Sequence, residues 1–214
     1  ATHTGKDIHL YMPQGKEMFG IEHYIIRRFF ERDQIRPVLI HGPGVDVLHR
    51  DFLAGIAFMR GNYGVDTITL HPLRGDYSTA RAKLEGYHDD IKAMGVKLAY
   101  ENMDARDRWF TFPQEIVDLN LENIGLTLDT SHLPADTDLS ALLDQVFDKL
   151  MVVHLSNQSR GNKHLPYRNG DMNLSALVSQ LKSYGFKGNV VLEYMPQYNE
   201  QLNDDTKRLQ DILE

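Results

Sequence analysis

The chain has 214 residues, of which 42% are hydrophobic and 25% charged, values typical of a globular domain with a full-sized core. Its net charge of −7 argues against a surface that coats nucleic acid or anionic membranes, and no apolar run reaches membrane-spanning length. The chain contains no cysteine, which excludes disulfides and thiolate metal sites and is typical of a cytoplasmic protein. Since the N-terminus also lacks the apolar core of a secretion signal, we expect one cytoplasmic domain over residues 1–214.

Strand-like runs alternate with helical patterns, which predicts a parallel sheet with crossover helices. The first strand, over residues 7–12, precedes a helical pattern over residues 18–30. A strand at 38–40 precedes a Gly-Pro-Gly turn and a helix, and a strand at 67–70 precedes a helix with Ser78 as its predicted N-cap. Later strands and helices alternate in the same way.

We count seven βα units, whereas a closed (β/α) barrel has eight. Residues 13–36 have room for one helix and no extra strand, so either the first unit is absent or a strand has escaped detection. An unfilled strand position leaves backbone groups unpaired on both neighbouring strands, so we expect a partner chain or the first ten residues to cover it. The predicted fold class is therefore α/β, a TIM-type (β/α) barrel of seven units with an irregular N-terminal side.

Six of the predicted strands end in a histidine or a carboxylate, at intervals of roughly 30 residues, the length of one βα unit. These residues are His41, His71, Glu101, Asp129, His154 and Glu193. The carboxyl ends of parallel strands meet at one rim, where a (β/α) barrel keeps its active site. Repeated unpaired charges at one rim would repel each other. We therefore predict a divalent metal ion there, and oxygen and imidazole ligands without sulfur suit Mn, Zn, Mg or Co.

Glu101 and Glu193 end strands four and seven, so they can face each other across the metal. Two opposed carboxylates are suited to remove a proton from one face of a substrate and deliver one to another. His132 lies one short turn beyond Asp129, a spacing that fits two neighbouring ions. The same spacing fits a first ligand followed by a substrate-binding imidazole.

A long polar stretch over residues 156–171 follows strand six, and long loops in compact domains are usually functional or mobile. Its Arg160, Lys163 and Arg168 can bind a phosphate or a carboxylate, although a solvated loop explains them equally well. Trp109, the only tryptophan, either lines a sugar-sized pocket or covers the rim of the barrel.

The order of these motifs resembles the xylose-isomerase-like TIM-barrel superfamily, which includes sugar isomerases and epimerases and the endonuclease IV group of apurinic-site nucleases. The resemblance runs over most of the chain and is carried by Leu70-His71-Pro72, Ala99-Tyr100-Glu101-Asn102, Leu128-Asp129-Thr130-Ser131-His132, Val153-His154-Leu155-Ser156-Asn157, His164-Leu165-Pro166 and Gly188-Asn189-Val190-Val191-Leu192-Glu193. Each segment is a weak signal by itself, but their order is specific.

In the epimerase branch, the resemblance implies that Glu101, Asp129, His154 and Glu193 hold the metal and that the two glutamates handle the proton. It also matches residues 7–13 with the second strand of the family, which would make the missing unit the first.

In the nuclease branch, the resemblance implies that His41 and His71 hold one further ion, while His132 and His164 match two ligands of a third. The remaining ligand of that third ion is an aspartate in the family, but the matching position here is Asn162. A neutral amide is a poorer zinc ligand, which weakens the match to the nucleases.

We therefore expect a metal-dependent isomerase or epimerase acting on a small polyhydroxy substrate, a sugar or a sugar phosphate. The expected substrate-binding residues are His132, His164, Asn162, Arg160, Lys163 and Trp109. The first alternative is an endonuclease IV-like phosphodiester hydrolase acting on abasic DNA, although the acidic net charge makes nucleic acid an unfavourable partner. The second is a non-catalytic barrel that binds a metal or a ligand. The sequence leaves open whether the chain forms a homo-oligomer.

Overall fold

Strands and helices alternate along the chain in this computed structural model, which describes residues 7–11, 28, 30–32, 36–42, 45–104 and 108–213. The strands are β1 (Asp7–Tyr11), β2 (Arg36–His41), β3 (Thr67–Leu70), β4 (Lys97–Glu101), β5 (Ile124–Asp129), β6 (Leu150–Leu155), β7 (Asn157–Ser159), β8 (Asn162–Leu165) and β9 (Asn189–Leu192). The α-helices that are described over their full length are α1 (Phe52–Tyr63), α2 (Tyr77–Ala93), α3 (Pro113–Leu119), α4 (Leu139–Val146), α5 (Leu174–Ser183) and α6 (Asn199–Leu213).

Seven of these strands form one parallel sheet in the order β1-β2-β3-β4-β5-β6-β9. This arrangement confirms the predicted TIM-type barrel, to which the described part of the chain contributes seven parallel strands. Within the described residues, β1 and β9 each pair on one side only, so they are the edges of the sheet. Residues 7–10, which were among those expected to cover the gap, instead form part of the edge strand β1.

The segment between β1 and β2 contains helical residues at 28 and 30–32. The rest of the helix predicted over residues 18–30 lies outside the described residues, as do residues 1–6. Of the helices that the structure describes, none combines the length and the apolar character needed to cross a membrane.

The main hydrophobic core lies between the sheet and the helices. Strand residues such as Ile68, Leu98 and Leu128 are fully buried against helix residues such as Ile56 and Leu84. Strands of this barrel are covered on the outside by helices and filled on the inside by side chains, which explains why their sequences are apolar runs rather than simple alternations.

The N-cap of α2 is Asp76, whose carboxylate accepts a hydrogen bond from the backbone N–H of Thr79, so the prediction of Ser78 was wrong by two residues. A carboxylate and a hydroxyl at neighbouring positions are both good caps, and only the backbone geometry decides between them. The Ser78 hydroxyl instead donates a hydrogen bond to Asp76.

The polar stretch after β6 is a β-hairpin rather than the predicted long loop. Strands β7 and β8 pair in antiparallel fashion, with Ser159 opposite Asn162. The two residues between them, Arg160 and Gly161, have φ angles of 52° and 83°. Positive φ at both positions is the geometry of a tight hairpin turn. Glycine is common at such positions but arginine is unusual, so only Gly161 indicated the turn in the sequence.

Candidate metal centre

Each candidate ligand lies two residues beyond a side chain that fills the inside of the barrel. The small inner cluster of fully buried side chains consists of Leu39, Ala99 and Val152. Two residues further along the same strands come His41, Glu101 and His154. Since side chains two apart on a strand share a face, the strands that fill the barrel also aim these groups into its mouth.

Strands β3 and β5 have the same two-residue spacing, but the buried side chains that precede their candidate ligands are polar. Thr69 and Thr127 are buried inside the barrel, with their hydroxyl oxygens 3.0 Å apart, and His71 and Asp129 lie two residues beyond them. A register shift between β5 and β6 then places Asp129 directly opposite His154. Local strand geometry thus brings groups from separate βα units to one point.

Glu101, Asp129, His154 and Glu193 converge, with one potential ligand atom from each within 4.8 Å of all the others. The Nδ1 atom of His154 lies 3.2 Å from Oε2 of Glu101 and 2.8 Å from Oε2 of Glu193. Three of the four side chains are at most 1% exposed, whereas Glu193 is 29% exposed. The centre is therefore accessible from the side of Glu193.

Glu101 also belongs to a second cluster with His41 and His71. The two Nε2 atoms of these histidines are 2.7 Å apart, and they lie 3.1 and 3.3 Å from Oε2 of Glu101. Two imidazole nitrogens and a carboxylate oxygen form a donor set that zinc accepts. Since Glu101 is common to both clusters, its carboxylate would help to hold an ion bound at either one.

A third cluster consists of Asp129, His132 and His164. The Nδ1 atom of His132 lies 2.9 Å from the backbone carbonyl oxygen of Asn102. A carbonyl oxygen can only accept, so Nδ1 donates and a neutral His132 keeps its lone pair on Nε2. His132 is thus fixed as an acceptor at the nitrogen that a metal or a substrate hydroxyl would meet.

The charges in the centre depend on one another. Burial alone would raise the pKa of Glu101, but the charge and hydrogen bond of His154, with bonds from two further imidazoles, hold that pKa well below its usual value. Burial alone would lower the pKa of His154, but Glu101 and Glu193 raise it well above the usual value. Burial opposes ionisation of Glu193 as well, yet His154 lowers its pKa to about 2. In the absence of a cation, a protonated His154 therefore balances two carboxylates.

Asp129 has one carboxylate oxygen that the described protein groups leave without a hydrogen bond. Its Oδ1 accepts hydrogen bonds from the backbone N–H and the hydroxyl of Ser131, at 2.7 and 2.8 Å, and from the backbone N–H of His132 at 3.3 Å. Its Oδ2 is buried, and no hydrogen bond from the described residues reaches it. Burial also raises the pKa of this carboxyl. A divalent cation would satisfy Oδ2 and offset the neighbouring carboxylates, so the residues present fit such an ion.

Trp109 and Asp46 connect three loops at the rim through hydrogen bonds. Its indole N–H donates a 2.7 Å hydrogen bond to Oδ2 of Asp46, and Asp46 also accepts from the backbone N–H groups of Leu48 and Leu73. Trp109 is only 2% exposed. Of its two predicted roles, this position favours covering the rim over lining a pocket.

The remaining predicted substrate-binding residues lie on the β7–β8 hairpin. Lys163 forms an ion pair with Asp104 in the loop after β4, so its charge is already paired within the protein. Arg160 and Asn162 are exposed, at the turn and at the start of β8. His164 points inward, with its Nδ1 3.3 Å from the Ser131 hydroxyl. Its φ of 53° lies in the left-handed region that residues other than glycine rarely adopt, and such strain is concentrated at functional sites.

Sequence reasoning missed the residues that hold the ligands in place. Asn102 and Ser131 occur in the quoted motifs, but no role was predicted for them. The signal was their position next to Glu101 and Asp129, because residues at the carboxyl ends of barrel strands often serve the site. Asp46 carried no local signal at all.

The chain is a (β/α) barrel with histidines and carboxylates at the carboxyl ends of its strands, and sequence comparison identifies the family to which it belongs. Residues 44–213 match the family described as the xylose isomerase-like TIM barrel, and the chain belongs to that family. No curated protein sequence is significantly similar to this chain.

Solved structures with the same fold include proteins of several descriptions. A D-tagatose 3-epimerase-like protein is 13% identical, with a TM-score of 0.75 over 99% of this chain and 92% of that one. An AP endonuclease of family 2 from Brucella melitensis is 18% identical, with a TM-score of 0.72 over 92% and 88%. The IolI protein, solved with a bound zinc atom, is 19% identical, with a TM-score of 0.65 over 97% and 88%. At these identities the likeness establishes the fold.

Proposed function

We propose that this chain is a metal-dependent isomerase or epimerase of a small polyhydroxy carbonyl compound, a sugar or a sugar phosphate. The observation that carries the proposal is the placement of Glu101 and Glu193. Their carboxylates approach His154 Nδ1 from two strands that are not neighbours, since β5 and β6 lie between β4 and β9 in the sheet. The likeness in fold to a D-tagatose 3-epimerase-like protein supports the same reading.

The proposed ligands of the ion are Glu101, Asp129, His154 and Glu193. A divalent cation held there would bind neighbouring carbonyl and hydroxyl oxygens of the substrate and acidify the C–H between them. Glu193, the most exposed of the four, is placed to meet the substrate and to take a proton from carbon. Inversion also needs a second proton on the opposite side of the carbon, and Glu101 is placed to deliver one that it has taken up from solvent, while Glu193 keeps the proton that it removed. Delivery to the neighbouring carbon instead would move the carbonyl.

The walls of the mouth supply groups for the substrate hydroxyls. His132 Nε2 is fixed as an acceptor by the bond from Nδ1 to Asn102, and His164 lies beside it with ring centroids 5.4 Å apart. Arg160 and Asn162 on the hairpin offer donors for a further hydroxyl or a phosphate. Lys163 is held by Asp104, so we assign it to closing the hairpin against the neighbouring loop.

Exchange of substrate hydrogen with solvent tests this function directly. Protein loaded with Mn²⁺ is incubated in deuterated water with a panel of ketoses and ketose phosphates, and incorporation at carbon is followed by NMR. We expect Glu193→Gln to remain folded and to lower the exchange rate by about 10²–10⁴-fold, because it removes an essential proton acceptor.

Glu122→Gln is the matched control for this experiment. It makes the same chemical change on the surface, where Glu122 pairs with Lys92, and it should leave exchange unchanged. Equal exchange in Glu193→Gln and wild-type protein would contradict the proposed role of Glu193.

The second candidate function is phosphodiester hydrolysis, favoured by the cluster of His41, His71 and Glu101. A carboxylate that bridges two sites is suited to a pair of metal ions, and such pairs clamp the oxygens of a phosphodiester during displacement. The fold of an AP endonuclease of family 2 is similar.

A count of the metal ions per chain separates the candidates. One Mn or Mg favours the isomerase, whereas two or three Zn with metal-dependent cleavage of abasic DNA and no hydrogen exchange would establish the hydrolase. Metal binding without either activity would leave the non-catalytic barrel.

A further inference from the structure

Asn102 follows Glu101 at the end of β4 and is 1% exposed. Its side-chain Oδ1 accepts a hydrogen bond from the backbone N–H of Asp129 at 2.8 Å, and its Nδ2 donates one to the backbone carbonyl of the same residue at 2.9 Å. The regular pairing of β4 with β5 ends one step earlier, where Glu101 is opposite Thr127. The side-chain amide of Asn102 therefore extends the hydrogen bonding between β4 and β5 beyond the last backbone pair, to the backbone of Asp129.

The backbone of Asn102 makes a third contact with the centre. Its carbonyl oxygen accepts the hydrogen bond from His132 Nδ1, which leaves the lone pair of a neutral His132 on Nε2. Asn102 is thus bonded directly to Glu101 in the chain, to Asp129 through its side chain and to His132 through its backbone.

We propose that Asn102 is the positioning residue of the metal centre, which sets the separation of Glu101 from Asp129 and the orientation of His132. The inference rests on the proposed function only in that the centre binds a divalent metal. Asn102 makes no contact with metal or substrate in this role and acts through the groups that it holds. Partners that orient metal ligands have large effects on affinity, because a ligand displaced by a fraction of an ångström no longer completes the coordination.

The amide is the group that this position requires. Both partners on Asp129 are buried backbone groups, one a donor and the other an acceptor, and an amide satisfies both at once. A carboxylate would turn an oxygen towards the carbonyl of Asp129. An aliphatic side chain would leave both backbone groups without a partner in the interior.

Binding of Co²⁺ to metal-free protein tests the proposal, because the visible absorption of Co²⁺ reports both affinity and ligand geometry. The variant is Asn102→Ala, with Asn102→Ser as a less disruptive second variant whose smaller cavity can hold a water. We expect either substitution to weaken Co²⁺ binding by about 10–100-fold and to change the absorption spectrum of the bound ion. Thermal unfolding in EDTA shows that each variant is folded before titration.

Asn157→Ala is the matched control. Asn157 is equally buried, and its side-chain amide also bonds to backbone groups. It donates to the carbonyl oxygens of Tyr167 and Met172 and accepts from the N–H groups of Gln158 and Met172. Its partners lie outside the four-ligand centre, so its loss should lower stability while Co²⁺ affinity and spectrum stay as in the wild type.

The outcomes separate this inference from the proposed function. Unchanged affinity and spectrum in both Asn102 variants would overturn the positioning role and leave the metal centre standing. Equal weakening in Asn157→Ala would also overturn it, because general loosening of the fold would then be sufficient. A wild-type protein that binds no Co²⁺ would overturn both the metal centre and the role of Asn102 in it.

Discussion

Replacing His154 with leucine in the metal-free protein tests the electrostatic reading of the centre. His154 is fully buried, and its Nδ1 lies 3.2 Å from Glu101 and 2.8 Å from Glu193. Leucine has a similar volume but removes the positive charge that the buried Glu101 and the partly exposed Glu193 share. Breaking a buried charge pair in this way costs about 3–5 kcal/mol, and we expect that loss in the free energy of unfolding at pH 6.

The pH dependence of that loss follows from the direction of the pKa shift. The pKa of His154 is raised in the folded protein by its two carboxylates, so its contribution to stability is complete below the unfolded value of 6.5. It is lost as the pH rises through the folded pKa. The difference in stability between wild type and His154→Leu should therefore be largest at pH 6 and should narrow towards alkaline pH.

Urea unfolding in EDTA across pH 6–9 measures this difference. His132→Leu is the control, because His132 is 3.7 Å from Glu101 and partly exposed, so its loss should cost less. A His154→Leu protein within about 1 kcal/mol of wild type at pH 6 would refute the reasoning, since a broken buried pair costs more than that. A deficit that grows with pH would refute it as well.

Two further predictions concern metal binding and packing. Mn²⁺ binding to the metal-free protein at pH 7 should release about one proton, because a ligating His154 must be neutral, and calorimetry in buffers of different ionisation heat measures this release. A binding heat that does not depend on the buffer would contradict it. Gly125→Ala should lower the free energy of unfolding by about 1–3 kcal/mol, because the added Cβ would lie 2.5 Å from the backbone oxygen of Lys149. Gly61→Ala, in a helix with open space around it, should not destabilise the protein in the same urea assay.

Much of the centre was predictable from the sequence because a strand repeats every two residues. Leu39 and His41 illustrate this, since a residue that fills the inside of the barrel fixes the direction of the residue two positions later. The spacing of roughly 30 residues between strand ends then indicates parallel strands that share a rim. The convergence of Glu101, Asp129, His154 and Glu193 follows from these local rules and the closure of the barrel.

Contacts between distant segments were not predictable in this way. The amide clamp from Asn102 to Asp129, the bond from Trp109 to Asp46 and the ion pair of Lys163 with Asp104 join residues 27 to 63 positions apart. Each depends on the register of neighbouring strands and on the path of the rim loops, which no single segment encodes.

The sequence by itself therefore determined the class of fold, the strands of the parallel sheet and the identity of the groups at their ends, because propensity and period act over a few neighbouring residues. Only the tertiary structure decided which oxygen of Asp129 receives no hydrogen bond from the described residues, which nitrogen of His132 is the acceptor, and that Lys163 faces Asp104. Those properties depend on distances of about 3 Å between segments far apart in the chain, and such distances are set only when the whole barrel has packed.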